Sequence, residues 1–186
     1  MIVELAWNDA PTLLHYYSSP HLEKPSAVAC GFIANIADRL SALHFSDVLH
    51  SDLKPANILL FKEENTGNLV AKIGDFGFAD VDRALAEADG YVRGVTREWA
   101  APELLDRCPE ALRELARAAP TEGDIYSFGL VMPFIILDGT SPKELAESKI
   151  ENLDYLKFNN LLGVKIEENL VAWWASTGRD PTDLQV

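Results

Sequence analysis

Positive charge is scarce in this chain. Sixteen Lys and Arg stand against 29 Asp and Glu in 186 residues, a net charge of -13. That balance disfavours nucleic acid as a partner, because phosphate backbones are gripped by clustered cations. It suits a cationic partner, or plain solubility. Cysteine is nearly missing too. Cys30 and Cys108 are too few for a disulfide framework, and no Cys-x-x-Cys pair or His cluster has a metal-binding spacing. Free thiols in a reducing compartment are the natural reading. Long apolar runs are also lacking. The most apolar stretch, residues 128–137, is far too short to span a bilayer. Residues 1–14 carry Glu4 and Asp9 and do not form a signal peptide. The expectation is one domain with no membrane segment, in the cytoplasm or nucleus.

What is present is enough apolar material, 48% of residues, for a real core. Residues 1–6 read as a short strand leading into a loop. From Ser26, a reasonable N-cap, Val28, Phe32, Ile36 and Leu40 recur every fourth residue. This predicts a helix ending near His44. Residues 58–61 and 69–73 read as two strands joined by a turn containing Gly67, hence a hairpin. Residues 75–101 show no sustained periodicity and read as a long ordered loop. Residues 109–119 have the composition of a surface helix. Asp124 is expected to cap a buried helix running towards Leu137, bent or broken at Pro133. Beyond Gly139 the chain is helical in flavour but carries no motif.

Phosphoryl transfer needs a carboxylate facing the attacking hydroxyl, positive charge beside the moving group, and ligands for metal ions. Residues 50–57, His-Ser-Asp-Leu-Lys-Pro-Ala-Asn, supply such a set. Asp52 can accept the proton of an incoming hydroxyl. Lys54 is a compact charge for the phosphate. Pro55 stiffens the turn between them. Asn57 offers a neutral oxygen to magnesium, a cation that prefers oxygen ligands. Eighteen residues on comes Asp75-Phe76-Gly77, with Asp75 as a charged metal ligand between Gly74 and Gly77.

This order, followed by Ala101-Pro102-Glu103, resembles the motif set of protein kinases. The resemblance implies a mainly α fold with a small β-hairpin, the C-terminal lobe of the kinase domain. Residues 1–6 then look like the last N-lobe strand and hinge, and residues 7–186 like the C-lobe. It implies ATP and Mg2+ as cofactors and a protein substrate presenting Ser or Thr. Glu4 and Ala6 would offer backbone groups to adenine. Leu59 would pack under its ring, or simply serve the strand core. Thr96 matches the threonine that bonds Asp52 and Lys54, or is a satisfied loop hydroxyl. Asp124, besides capping its helix, would accept backbone hydrogen bonds from the catalytic loop, and His50 would stack on Phe76. Lys54 marks the serine/threonine class.

There are departures from the family pattern. Ser51 stands where kinases switched by phosphorylation carry Arg, and residues 77–95 hold no Ser or Thr and only one Tyr, Tyr91. The expectation is a kinase that is not switched on by phosphorylation of that segment. No Gly-x-Gly-x-x-Gly occurs, nor the strand lysine and its partner glutamate. A fragment with negligible phosphotransfer on its own is therefore expected, with an exposed N-lobe face that a partner would cover. Glu103 would need a late Arg, and Arg179 is the candidate. The rivals are a small-molecule kinase of the aminoglycoside or choline type, a catalytically inactive kinase-like binding module, and an incomplete gene model.

Overall fold

The computed structural model describes residues 5–79, 96–105, 114, 121–146 and 150–177. The expected helix at 109–119, the hinge residues up to Glu4, Tyr91 and Arg179 all lie outside these residues, apart from the single helical position 114.

The fold is mainly α around one hairpin, as the sequence predicts. α1 (Leu13–Ser18) starts at Thr12, whose Oγ1 accepts a hydrogen bond from the His15 amide. α2 (Ser26–Phe45) follows. β1 (Ile58–Lys62) and β2 (Leu69–Ile73) pair antiparallel, with Leu60 opposite Ala71, both fully buried. The later helices are α3 (Thr121–Ile136), α4 (Pro142–Leu145), α5 (Ile150–Phe158) and α6 (Leu162–Thr177). α4 opens on a capping box, Ser141 Oγ accepting from the Glu144 amide at 3.3 Å and Glu144 Oε2 from the Ser141 amide at 2.7 Å.

α2 is long and apolar enough to cross a membrane, with 20 residues and a mean hydropathy of 1.2. Here its apolar stripe goes into the core instead. Phe32 and Ile36 are fully buried, and the helix packs on β2 and α3. Asn35 on α2 also accepts the Ala71 amide at 3.1 Å, tying helix to hairpin. On the other side, residues 7–12 run beside β1. Trp7 N donates to Leu60 O at 2.8 Å, and Leu60 N donates to Pro11 O at 3.1 Å. Rings then fill the centre: Tyr17 and Trp99 each meet Phe134 edge-on at 5.4 and 5.6 Å.

Four local expectations are corrected. Ser26 is not the cap of α2. Pro25 holds that position, and no side chain caps the helix, because Pro25 presets the backbone turn. Asp124 is not the cap of α3, which begins three residues earlier at Thr121, leaving the Asp124 carboxylate free for another task. Leu5 and Ala6 are not in a strand. Pro133 lies inside α3, buried and without a break in the helix. One glycine is fixed by a close approach here: Gly139 has φ +92°, and a Cβ on it would lie 2.8 Å from the Tyr17 Cβ.

Candidate active site

Residues 50–57 follow α2 and lead straight into β1, so both ends of the loop are anchored in the core. The anchor behind it is Asp124 on α3. Its Oδ2 accepts from the His50 amide at 2.8 Å, its Oδ1 from the Ser51 amide at 2.8 Å, and His44 Nε2 lies 3.1 Å from Oδ2. Asp124 is buried, and a buried carboxylate is tolerable when donors surround it in this way. Ser51 adopts φ +66°, a left-handed conformation that a non-glycine residue holds only when its surroundings insist. The Asp124 grip on its amide supplies that insistence.

His50 is fully buried and links three parts of the site. Its Nδ1 accepts from the Asp52 amide at 3.3 Å, and its Nε2 donates to Gly74 O at 2.9 Å. Both bonds are met by one neutral tautomer. The ring meets Phe76 edge-on at 5.4 Å. Gly74 in turn donates its amide to Asn57 O at 2.8 Å, so the backbone before Asp75 lies against the end of the loop. A Cβ on Gly74 would sit 2.8 Å from Leu59 Cδ1, so any larger residue there would displace the Leu59 side chain.

The structure brings Asp52, Lys54, Thr96 and Asn57 into one cluster. Asp52 Oδ2 accepts from Lys54 Nζ at 2.6 Å and from Asn57 Nδ2 at 3.1 Å. Asp52 Oδ1 accepts from Thr96 Oγ1 at 2.6 Å and from the Thr96 amide at 3.3 Å. Lys54 Nζ also donates to Thr96 Oγ1 at 2.7 Å, closing a triangle. Four donors thus aim one carboxylate. Asn57 Nδ2 makes a further bond to Asp52 O at 2.9 Å, which turns its amide oxygen away from the cluster.

Asp75 adopts φ +56° and accepts from the Gly77 amide at 3.3 Å; its side chain is exposed. Exposed carboxylate oxygen and amide oxygen are the donors a hard divalent cation takes. Among the described residues, no group of three or more His, Cys, Asp or Glu gathers as a metal cluster. Leu59 sits half-buried on β1 over Gly74, and Ala6 is half-buried in the segment leading to Trp7. Neither touches the Asp52 cluster. Glu4 and residues 80–95, with Tyr91, lie outside the described residues.

Beside Lys54 opens a groove of about 450 Å³, lined among others by Pro55, Glu98, Trp99, Phe134 and Lys143. Its wall at residues 97–100 is held by groups absent from the sequence reading. Lys157 Nζ donates to Arg97 O, Glu98 O and Ala100 O at 2.9, 2.9 and 2.6 Å. Ser127 Oγ donates to Trp99 O at 3.0 Å. Arg97 pairs with Asp154 through Nε and Nη2. Burial pushes Lys157 down to about 8. Asp154, Glu98 and Glu103 oppose the shift, and Arg97 adds to it. Tyr126 is pushed up to about 12 by burial, and further by the Glu103 charge. A signal for the lysine did exist. Leu153, Asp154 and Lys157 are buried on one side of α5, and two opposite charges on an inward face call for partners.

Comparison with known proteins agrees with this geometry. A family model described as "Protein kinase domain" matches residues 1–184. The dual specificity testis-specific protein kinase 2 of Mus musculus is 31% identical over 162 residues, covering 81% of this chain and 26% of that protein. The serine/threonine-protein kinase SSN3 of Candida glabrata is 36% identical over 110 residues, covering 56% of this chain and 18% of its own length. Among solved structures, one described as the yeast RNA Pol II CTD kinase CTDK-1 complex is similar with a TM-score of 0.52 and 25% identity. That match covers 68% of this chain and 37% of the other. This chain therefore spans only a minor part of the curated relatives it matches.

Proposed function

The chain belongs to the protein kinase family, and from that membership we propose that it serves the transfer of the ATP γ-phosphate to a serine or threonine hydroxyl of a protein substrate. The observation that carries this reading is the triangle of Asp52, Lys54 and Thr96. One oxygen of Asp52 is held by Thr96, the other by Lys54, at 2.6 Å each. A carboxylate aimed in this way accepts the proton of an incoming hydroxyl. Lys54 stands next to it as the cation for the moving phosphoryl group. Thr96 keeps the two in register and joins them to the wall at 97–100.

Asp75 and Asn57 would hold magnesium, which supplies charge neutralisation for the phosphates when bound. Ala6 and Glu4 would meet the adenine through their backbone, with Leu59 against its ring. Residues 1–6 would be the end of the N-lobe and the hinge, and residues 7–186 the C-lobe. The acidic surface and the family suit a polypeptide substrate and a cytoplasmic or nuclear setting.

The test is phosphotransfer from labelled Mg-ATP to protein acceptors, using the full-length protein and Asp52→Asn. The substitution keeps the shape and removes the proton acceptor. A loss of about 10²–10⁴-fold in kcat is expected, with nucleotide binding retained. Undiminished phosphotransfer in Asp52→Asn, or none in the parent protein, would end the proposal.

A further inference from the structure

Residues 97–100 present four consecutive backbone carbonyls, and among the described residues those of 98, 99 and 100 accept from no backbone amide. Each is met by a side chain instead: Lys157 takes those of residues 97, 98 and 100, and Ser127 takes that of residue 99. An ammonium has three N–H bonds to give, and here all three go to carbonyls. Lys157 is 4% exposed, and its amine also lies 5.8 Å from the centre of the Tyr126 ring. Burying a lysine in this way is costly unless its bonds are complete, so the site is built around the segment it holds. One turn away, Asp154, 7% exposed, takes the Arg97 guanidinium on Oδ2, while its buried Oδ1 has no hydrogen-bond partner among the described residues.

The held segment has a definite place. It begins at Thr96, which is bonded to Asp52 and Lys54. Its next residues, Glu98 and Trp99, line the groove beside Lys54. Trp99 is wedged against Phe134 at 5.6 Å, and Glu98 Oε1 accepts the Lys143 amide at 3.0 Å. The groove that Glu98 and Trp99 line also reaches Lys54, the partner of Asp52.

We propose that Lys157 and Asp154 are positioning residues for the polypeptide substrate, acting by fixing the backbone of residues 97–100. This rests on the kinase reading above. Neither residue touches the Asp52 cluster. Their influence falls on where the substrate chain lies and leaves nucleotide binding alone.

The experiment uses the full-length protein and Lys157→Met, which keeps an unbranched side chain but removes all three donors. KM for the protein substrate should rise about tenfold or more, the loss that several charge-assisted bonds predict, while KM for ATP stays within about twofold. Hydrogen exchange at the Trp99 and Ala100 amides, both bonded to Thr96 O, should speed up. The amides of β1 and β2 should keep their protection. Asp154→Asn should move the same readouts in the same direction by less. Unchanged exchange at residues 99 and 100 would overturn the proposal. So would a loss of protection shared with the hairpin, or a joint rise of both KM values, since each marks a fold-wide role. Absence of phosphotransfer in the parent protein would defeat the kinase reading instead, and exchange at residues 99 and 100 would still decide whether Lys157 holds the wall.

Discussion

Two loops meet at Asp52, and each is tied from behind by one buried charged residue of opposite sign. Residues 50–51 present amides, and Asp124 on α3 gathers them with a carboxylate. Residues 97–100 present carbonyls, and Lys157 on α5 gathers three of them with an ammonium. The difference lies in which backbone group each loop leaves unpaired. A loop with orphan N–H groups needs a buried acceptor, and a loop with orphan C=O groups needs a buried donor. Both solutions avoid secondary structure, so each loop keeps the irregular path that the chemistry requires.

The comparison can be broken most severely on the acceptor side. Asp124→Ala would leave the His50 and Ser51 amides buried and unpaired, and Ser51 would lose what holds its left-handed backbone. A stability loss of about 4 kcal/mol is expected in denaturant titration, together with loss of phosphotransfer. On the donor side the prediction is a stability that climbs with pH in the alkaline range. The folded protein lowers Lys157 from 10.5 to about 8. Between those values the unfolded chain binds the extra proton, so stability rises with pH across the window. The gain is about 3 kcal/mol at full titration. It should appear as a difference between the parent and Lys157→Met in melting curves from pH 7 to 10.5, and a difference that stays flat would show that the lysine is not held down. The mildest break is Ser127→Ala, which removes one hydroxyl proton shared between Trp99 O and Gly123 O, each 3.0 Å away. About 1 kcal/mol is expected, with the Asp52 cluster left intact. A much larger loss would show that the two sides are not independent.

The two sides also differed in legibility. The Asp52 loop could be read because its residues must stand at fixed spacings within eight positions. Its hairpin and α2 announced themselves through alternation and a four-residue repeat. Asp124 was recognised for its bonds to the loop but misplaced as a cap, because a helix start at Thr121 leaves no distinctive residue. Lys157 and Asp154 went unread for a different reason. The partners of Lys157 are main-chain carbonyls 57 to 60 residues away, and a carbonyl has no letter in a sequence, while the Arg97 that pairs with Asp154 lies 57 residues off with no spacing to link them. Only their position on the inward face of α5 hinted at a role. α1 was missed because a six-residue helix carries too little periodicity to stand out.

A clamp that grips main chain is indifferent to the side chains it passes. Lys157 and Ser127 would hold the same four carbonyls whatever residue stood at position 98. Glu98 lines the groove while its neighbour Trp99 is packed on Phe134 in the core, so position 98 is where substrate preference can be rewritten without rebuilding the scaffold that presents it. A library varied only at Glu98 should therefore return folded proteins that differ in the peptides they accept.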